Sequence, residues 1–266
     1  MLSSGRQIRF MQPLSVVIIT LNEEKNIGRC LASVQSVADE IVVVDSLSTD
    51  GTKAICVRHG VRFLEQPFLG YIEQKNFALS AASHAYVLSL DADEALSPEL
   101  AQSILSAKQA GFPVAGYTMN RLSWFCDQWI RHGSWYPDRK LRLVRRELAR
   151  WGGTNPHDKL LLDGPANEQH LPGDLLHYTY YSIDELVQQG NRFSTIAAKA
   201  MHAQGKKSGW FNLCWNPAMA FFKTYILRAG FLDGFNGLVI ARQSANQTFL
   251  KYAKLRQLNR SAAQDH

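Results

Sequence analysis

Along the first hundred residues, apolar runs alternate with segments of helical spacing. Residues 14–20 (LSVVIIT), 40–46 (EIVVVDS), 61–66 (VRFLEQ) and 85–91 (AYVLSLD) read as strands. EKNIGRCLASV, STDGTKAICVRHG and YIEQKNFALSAAS read as the helices between them, the second stopping at Gly60. Strands apolar throughout and separated by helices are those of a parallel sheet covered on both faces. The expected class is therefore α/β, a Rossmann-like, doubly wound, mostly parallel sheet. Ligands of such a sheet sit beyond the carboxyl ends of its strands.

That rule selects three groups of polar residues. Thr20, Asn22 and Glu23 follow the first strand, Asp45, Ser46 and Ser48 the second, and Asp91 and Asp93 the fourth. Loops are polar in any case, but carboxylates at neighbouring strand ends are less routine. Residues two apart at a strand end project to one side, so Asp91 and Asp93 can share a ligand. With oxygens from a diphosphate they would make a hard-oxygen site for Mg²⁺ or Mn²⁺. The plainer alternative is that Asp93 or Glu94 caps a helix opening at Ser97-Pro98-Glu99.

Beyond residue 112 the alternation changes. AGYTMNRLSWF and KLRLVRR read as strands around an aromatic loop, and GGTNPHDKLLLDGP is turn-rich. Ser182 and Glu185 form a capping-box pair opening a helix that runs to about residue 204, with Gly205 as its stop. From Trp210 to Ala241 aromatics crowd the chain, Lys223, Arg228 and Asp233 interrupt them, and Pro217 is expected to break the first half. Such a segment is too interrupted to span a bilayer and fits an interfacial helix meeting anionic lipid. Core packing or a dimer contact is the bland alternative. The division expected is a tail (1–12), a catalytic domain (13–181, with halves 13–112 and 113–181) and a helical C-terminal extension (182–266).

Composition narrows the setting. The chain has 266 residues, 46% hydrophobic and 20% charged, which describes a folded protein with a substantial core. Its four cysteines form no C-x-x-C pair, against a zinc ribbon or disulfide framework and in keeping with a reducing compartment. The formal charge of +6 suits nucleic acid, anionic lipid or a phosphorylated substrate without choosing among them. MLSSGRQIRF lacks the apolar segment of a signal peptide, so a cytoplasmic location is expected.

LSVVIITLNEEKNIGRCLASV, EIVVVDSLSTDGT, GYIEQKNFALSAA and VLSLDADE, in this order and spacing, resemble the inverting family 2 glycosyltransferases of GT-A fold, which use nucleotide diphosphate sugars. The resemblance covers roughly residues 13–165. The order of elements and the aromatic tail are also similar to bacterial lipopolysaccharide inner-core β-1,4-glucosyltransferases, which add glucose to a heptose. The resemblance implies a metal-dependent transfer from a UDP-sugar donor to a lipid-anchored saccharide. It also implies a place on the cytoplasmic face of the inner membrane, with no nucleic acid as partner.

Carried over residue by residue, it puts Thr20, Asn22 and Glu23 at the nucleotide pocket, Asp45 on the uracil or ribose side, and Gln74, Lys75 and Asn76 among the donor contacts. Asp91 and Asp93 match its metal motif, Asp93 as direct ligand, and His177 is a candidate third ligand. Inversion needs a carboxylate to take the acceptor proton. Asp158 is the candidate, although related enzymes show His-Glu where this chain has His157-Asp158. Asp138 is the runner-up, and His157 would orient the base or the acceptor. In RKLRLVRRELAR, Arg139 or Arg142 suits the donor diphosphate or an anionic acceptor through its planar fork, against the bland reading of a solvated strand face. Two other readings stand beside this one. A nucleotidyltransferase would need a glycine-rich loop after the first strand, and TLNEEKN has none. A non-catalytic module binding RNA or lipid would have no need of these carboxylates.

Overall fold

The most apolar run of the chain forms β1 (Leu14–Thr20), whose side chains are buried at all but one position. The computed structural model describes residues 11–154, 157–164 and 167–264. From β1 the chain passes through α1 (Ile27–Val34), β2 (Glu40–Asp45), α2 (Thr52–Arg58), β3 (Arg62–Glu65), α3 (Tyr71–Ala81) and β4 (Tyr86–Asp91). β3, β2, β1 and β4 lie side by side in that order, all parallel. Gly60 ends the α2 segment with a φ of 66°, a backbone conformation that costs glycine little.

The next elements are β5 (Glu94–Leu96), α4 (Pro98–Gln109), β6 (Gly116–Phe125), β7 (Gln128–Ile130) and β8 (Asp138–Arg145). Ser97 caps α4 by accepting the Leu100 N–H at 3.1 Å, and Pro98 stands in the first turn. The cap is therefore Ser97, which leaves Asp93 and Glu94 for other work. β9 (Ala149–Thr154) and β10 (His157–Leu162) form a separate two-stranded sheet where the sequence reads as turn-rich. β11 (Glu168–Tyr180) is the longest strand. The remainder is helical: α5 (Ile183–Ala203), capped by Ser182, then α6 (Trp210–Phe222) and α7 (Gly234–Gln264).

The large sheet runs β3-β2-β1-β4-β8-β6-β11-β5, with β7 paired to β6. Its first four strands are the parallel Rossmann-like part, and β8, β6 and β5 join by antiparallel pairing. β4 and β5 are separated only by Ala92 and Asp93, yet lie four strand positions apart. On a flat sheet that separation would be about 19 Å, whereas three residue steps reach at most about 11 Å. The sheet must curl, and its inner side closes around the end of β4.

Two compact units divide the chain. One holds the residues up to Arg121 with Asp138–His177; the other holds Leu122–Pro137 and the chain from Tyr178 onward. The units alternate along the sequence, so they do not follow the linear division at residue 181. The core of the first unit includes Leu14, Val16, Ile18, Leu31, Leu88, Leu90 and Ile104, all at most 1% exposed. In the second, Phe125, Ile130, Leu186 and Ile240 pack together, and the Asp233 carboxylate accepts the His132 backbone N–H at 2.9 Å. α6 continues through Pro217, against the expected break. Proline there removes the hydrogen bond to the carbonyl four residues earlier, and α6 buries no residue fully, so the released carbonyl is not sealed in a core.

Candidate active site

Register places the polar groups at one edge. Thr20 pairs with Asp45 across β1 and β2, and Ile19 pairs with Asp91 across β1 and β4. The loops after β1 and β2 are laced together. Asn22, at a φ of 54°, donates its backbone N–H to Ser48 Oγ at 2.8 Å and accepts the Thr49 N–H at 2.8 Å. Asp45 is 1% exposed and accepts from Ser48 N at 2.7 Å and Ser48 Oγ at 2.5 Å. Glu23 accepts from Asn26 Nδ2 at 2.7 Å. Burial raises the Glu23 pKa, the Asn26 hydrogen bond opposes this, and the nearby charges of Asp93, Asp50 and Asp91 add to the rise.

Asp91 lies at the centre of a charged cluster. Its Oδ1 stands 3.0 Å from Lys75 Nζ, and its Oδ2 is 3.3 Å from Arg142 Nη2. Burial alone would raise the Asp91 pKa, but Lys75 and Arg142 outweigh it and hold the carboxyl well below the usual carboxylate range. Arg142 in turn lies 2.7 Å from Glu94 Oε1, and Glu94 has a wholly buried side chain. Glu94 and Asp91 hold the Arg142 guanidinium protonated despite its burial. The second Glu94 oxygen accepts the Asp91 backbone N–H at 3.1 Å, closing the β4–β5 turn.

Lys75 also reaches Asp158 Oδ2, at 2.8 Å, across 83 positions of sequence. The Trp151 ring lies beneath both cations, its centroid 4.4 Å from Lys75 Nζ and 5.4 Å from Arg142 Cζ. Asp93 and His177 form a neighbouring pair, His177 Nε2 lying 3.1 Å from Asp93 Oδ2. β11 brings His177 there through its register with Glu94.

Not every residue singled out from sequence joins this cluster. Asp138 is held by Arg121 Nη2 at 2.8 Å and by Lys140 Nζ at 2.9 Å. Arg139 is exposed on β8, while Arg142, three residues on, is buried in the cluster. Gln74 is buried and donates to the Gln66 carbonyl at 3.4 Å. Asn76 directs its side-chain amide at the Trp151 backbone. The His157 side chain lies outside the described residues. Sequence reading did not single out Trp151, Arg121 or Glu94 for these parts, although a tryptophan between Arg150 and two glycines was a visible anomaly.

Three buried polar atoms at this edge have no hydrogen-bond partner among the described residues: Thr20 Oγ1, Arg142 Nε and Trp151 Nε1. Groups so placed suit a polar ligand, because a buried polar atom left unpaired costs about 1–3 kcal/mol. No group of three or more potential ligand side chains is assembled for a metal among the described residues. Asp93 with His177 nevertheless fits a divalent cation whose other ligands are donor oxygens, a hard-oxygen and imidazole set suited to Mn²⁺ or Mg²⁺.

Comparison with known proteins places this geometry in context. The Glycosyl transferase family 2 profile matches residues 15–160. An uncharacterized glycosyltransferase of Rickettsia felis is 34% identical over 262 residues, spanning 93% of this chain and 90% of its own. The lipopolysaccharide core biosynthesis glycosyltransferase LpsC of Rhizobium meliloti is 32% identical over 251 residues, spanning 92% of each chain. Among solved structures, S. aureus TarS 1-349 in complex with UDP aligns over 94% of this chain and 92% of its own, at 15% identity and a TM-score of 0.45. The chain belongs to glycosyltransferase family 2.

Proposed function

We propose that this glycosyltransferase moves glucose from UDP-glucose to an inner-core heptose of lipopolysaccharide, with inversion to a β-linkage and a divalent cation in the site. The observation that carries the reading is the meeting of Asp91 and Asp158 on one lysine, 2.8–3.0 Å from each, at the edge where Asp93 and Asp45 also lie. Carboxylates from the β4 end and the β9–β10 hairpin thereby flank a single space. The relative LpsC supports a lipopolysaccharide acceptor through its name.

In this mechanism Asp158 takes the proton of the acceptor hydroxyl as that oxygen attacks the anomeric carbon. The new carbon–oxygen bond forms on the face opposite the diphosphate, and the bond to the β-phosphate oxygen breaks with its electron pair leaving on UDP. Asp93 and His177 would hold the cation, with Asp91 beside it; when bound, the cation supplies charge stabilisation to the departing diphosphate. Lys75 and Arg142 favour the ionised form of Asp91. Asp45 and the laced loops after β1 and β2 hold the nucleoside. Asp138 is the alternative base; Arg121 and Lys140 engage it as Lys75 engages Asp158.

The membrane part of the reading rests on α6 and the turns after it. Trp210 is 73% exposed, Phe211 68%, Leu227 66% and Phe235 70%. Lys206, Lys207, Lys223 and Arg228 are exposed beside them, and Asp233, the one acid between residues 206 and 242, is buried against His132. Aromatics flanked by exposed cations suit the headgroup layer of an anionic membrane. No helix among the described residues is long and apolar enough to cross a membrane, so the attachment would be peripheral, on the cytoplasmic face of the inner membrane.

The test is a panel of sugar nucleotides with truncated lipopolysaccharide as acceptor, with and without Mn²⁺. UDP-glucose should be turned over only with the metal. Asp158→Asn should keep UDP-glucose binding by calorimetry while kcat falls on the order of 10²–10⁴-fold, the usual contribution of a general base. Undiminished turnover in that variant would move the base elsewhere, most simply to Asp138.

A further inference from the structure

Among the described residues, the hairpin carrying Asp158 has no strand pairing to the large sheet, and β9 and β10 pair with each other. Apolar packing seats the hairpin, since Trp151 and Leu160 are buried with Val17, Val87, Val144 and Leu79. Packing of that kind is not directional, however, and a base must be placed to a fraction of an ångström. Something else must set where Asp158 stands relative to the end of β4.

Two consecutive residues of α3 have the required geometry. Asn76 donates from Nδ2 to the Trp151 carbonyl at 3.0 Å, and its Oδ1 accepts the Trp151 N–H at 2.9 Å. Its amide thus acts as a one-residue strand partner for β9. Trp151 is two residues from Gly153, which pairs directly with Asp158. Lys75, the neighbour of Asn76, donates to Asp158 Oδ2 at 2.8 Å and contacts Asp91 at 3.0 Å. Its side chain is 6% exposed in mid-helix, where an unpaired ammonium would be costly. The two carboxylates and the Trp151 face compensate for that burial.

We infer that Lys75 and Asn76 are positioning residues for the base rather than contacts to the donor. Asn76 fixes the backbone of the hairpin, and Lys75 fixes the Asp158 carboxylate at a set separation from Asp91. The inference rests on the reading of Asp158 as base and departs from the donor-contact role that the family resemblance implies for the two residues. Asn76 acts through the hairpin alone, whereas Lys75 contacts both Asp158 and Asp91; placing the base governs how fast bound substrate reacts, and holding Asp91 would show in how well the donor binds.

The test compares kcat and donor KM, with UDP-glucose and truncated lipopolysaccharide, for Lys75→Met, Lys75→Arg, Asn76→Ala, Asp158→Asn and the double variant Lys75→Met/Asp158→Asn. Lys75→Met should lower kcat on the order of 10²-fold, the scale of an ångström misplacement, and leave donor KM and UDP affinity by calorimetry within about twofold. Lys75→Arg should recover about tenfold of that loss by restoring a cation between the carboxylates. Asn76→Ala, which leaves every charge in place, should show the same split, kcat falling about tenfold. The double variant should be no slower than Asp158→Asn, because the lysine then has no base to place. A rise in donor KM at constant kcat for Lys75→Met and Asn76→Ala would overturn the inference and make both donor contacts. If Asp158→Asn keeps full turnover, the base reading itself fails. If Asp158→Asn is slow while Lys75→Met and Asn76→Ala are both fast, only the positioning role falls.

Discussion

The two compact units treat charge and apolar surface in opposite ways. The first draws charge inward: Glu94, Arg142 and Lys75 have side chains no more than 6% exposed. The second puts Trp210, Phe211, Trp215 and Phe235 outward, each at least 52% exposed. Either pattern costs stability in an isolated domain. Buried ions lose their hydration, and exposed aromatics gain nothing from folding. Each cost is understandable under the proposed function, in which the first unit meets a charged donor and the second a lipid layer.

Breaking the buried pair gives the largest expected effect. Glu94→Ala removes the carboxylate nearest to the Arg142 guanidinium and opens the β4–β5 turn, so urea unfolding should report a loss of about 3–5 kcal/mol, as for other buried pairs broken on one side. A loss below about 1 kcal/mol would mean that water already reaches the cluster, and the contrast between the units would weaken.

The exposed aromatics make the opposite prediction. Trp210→Ala combined with Phe235→Ala should leave the unfolding midpoint nearly unchanged, because neither side chain is buried by folding. The same variant should lower partition onto anionic vesicles by about tenfold or more per aromatic, from roughly 1.5–3 kcal/mol for burial of one large apolar side chain. Destabilisation without any loss of sedimentation would reassign these residues to packing.

The smallest effect sharpens the comparison within the first unit. Glu40 begins β2, at the end of the strand remote from Asp45, and is held mainly by hydroxyls and an amide. Ser15 Oγ donates to it at 2.5 Å, Ser83 Oγ at 2.7 Å and Ser83 N at 2.8 Å. Burial opposes ionisation there, yet these hydrogen bonds lower the pKa from 4.5 to about 2. A depressed carboxylate contributes stability above its unfolded pKa and loses it as pH falls through the folded value. Glu40→Gln should therefore cost about 1–2 kcal/mol at pH 7, with the difference from the parent shrinking as pH falls from about 4.5 towards 2. A difference that stays constant over that range would show that hydrogen-bond geometry, not charge, is what the substitution removes.

Much of the parallel half of the sheet was legible because its strands are buried on both faces and so read as unbroken apolar runs. β1 lies where LSVVIIT does, and β2, β3 and β4 end within a residue of the expected positions. The acids at the strand ends followed from the same rule. The β9–β10 hairpin was hidden because Gly152, Gly153 and Pro156 signal turns, and strand pairing between neighbours leaves little mark in so short a stretch. β5 has only three residues, too few for any periodicity. The role of Glu94 was illegible for a different reason. Its partner, Arg142, comes 48 positions later and meets it only because the sheet curls. The pairing of the Asn76 amide with the Trp151 backbone was equally illegible, since the two lie 75 positions apart.

The curl also constrains how this chain could tolerate length changes. Ala92 and Asp93 are the whole seam between β4 and β5. One residue added there would turn every β5 side chain to the opposite face, sending Glu94 away from Arg142 and Leu96 out of the core. One residue removed would leave too little chain to bridge the two strands. The interval between the acids is thus fixed by sheet closure, independently of any shared ion.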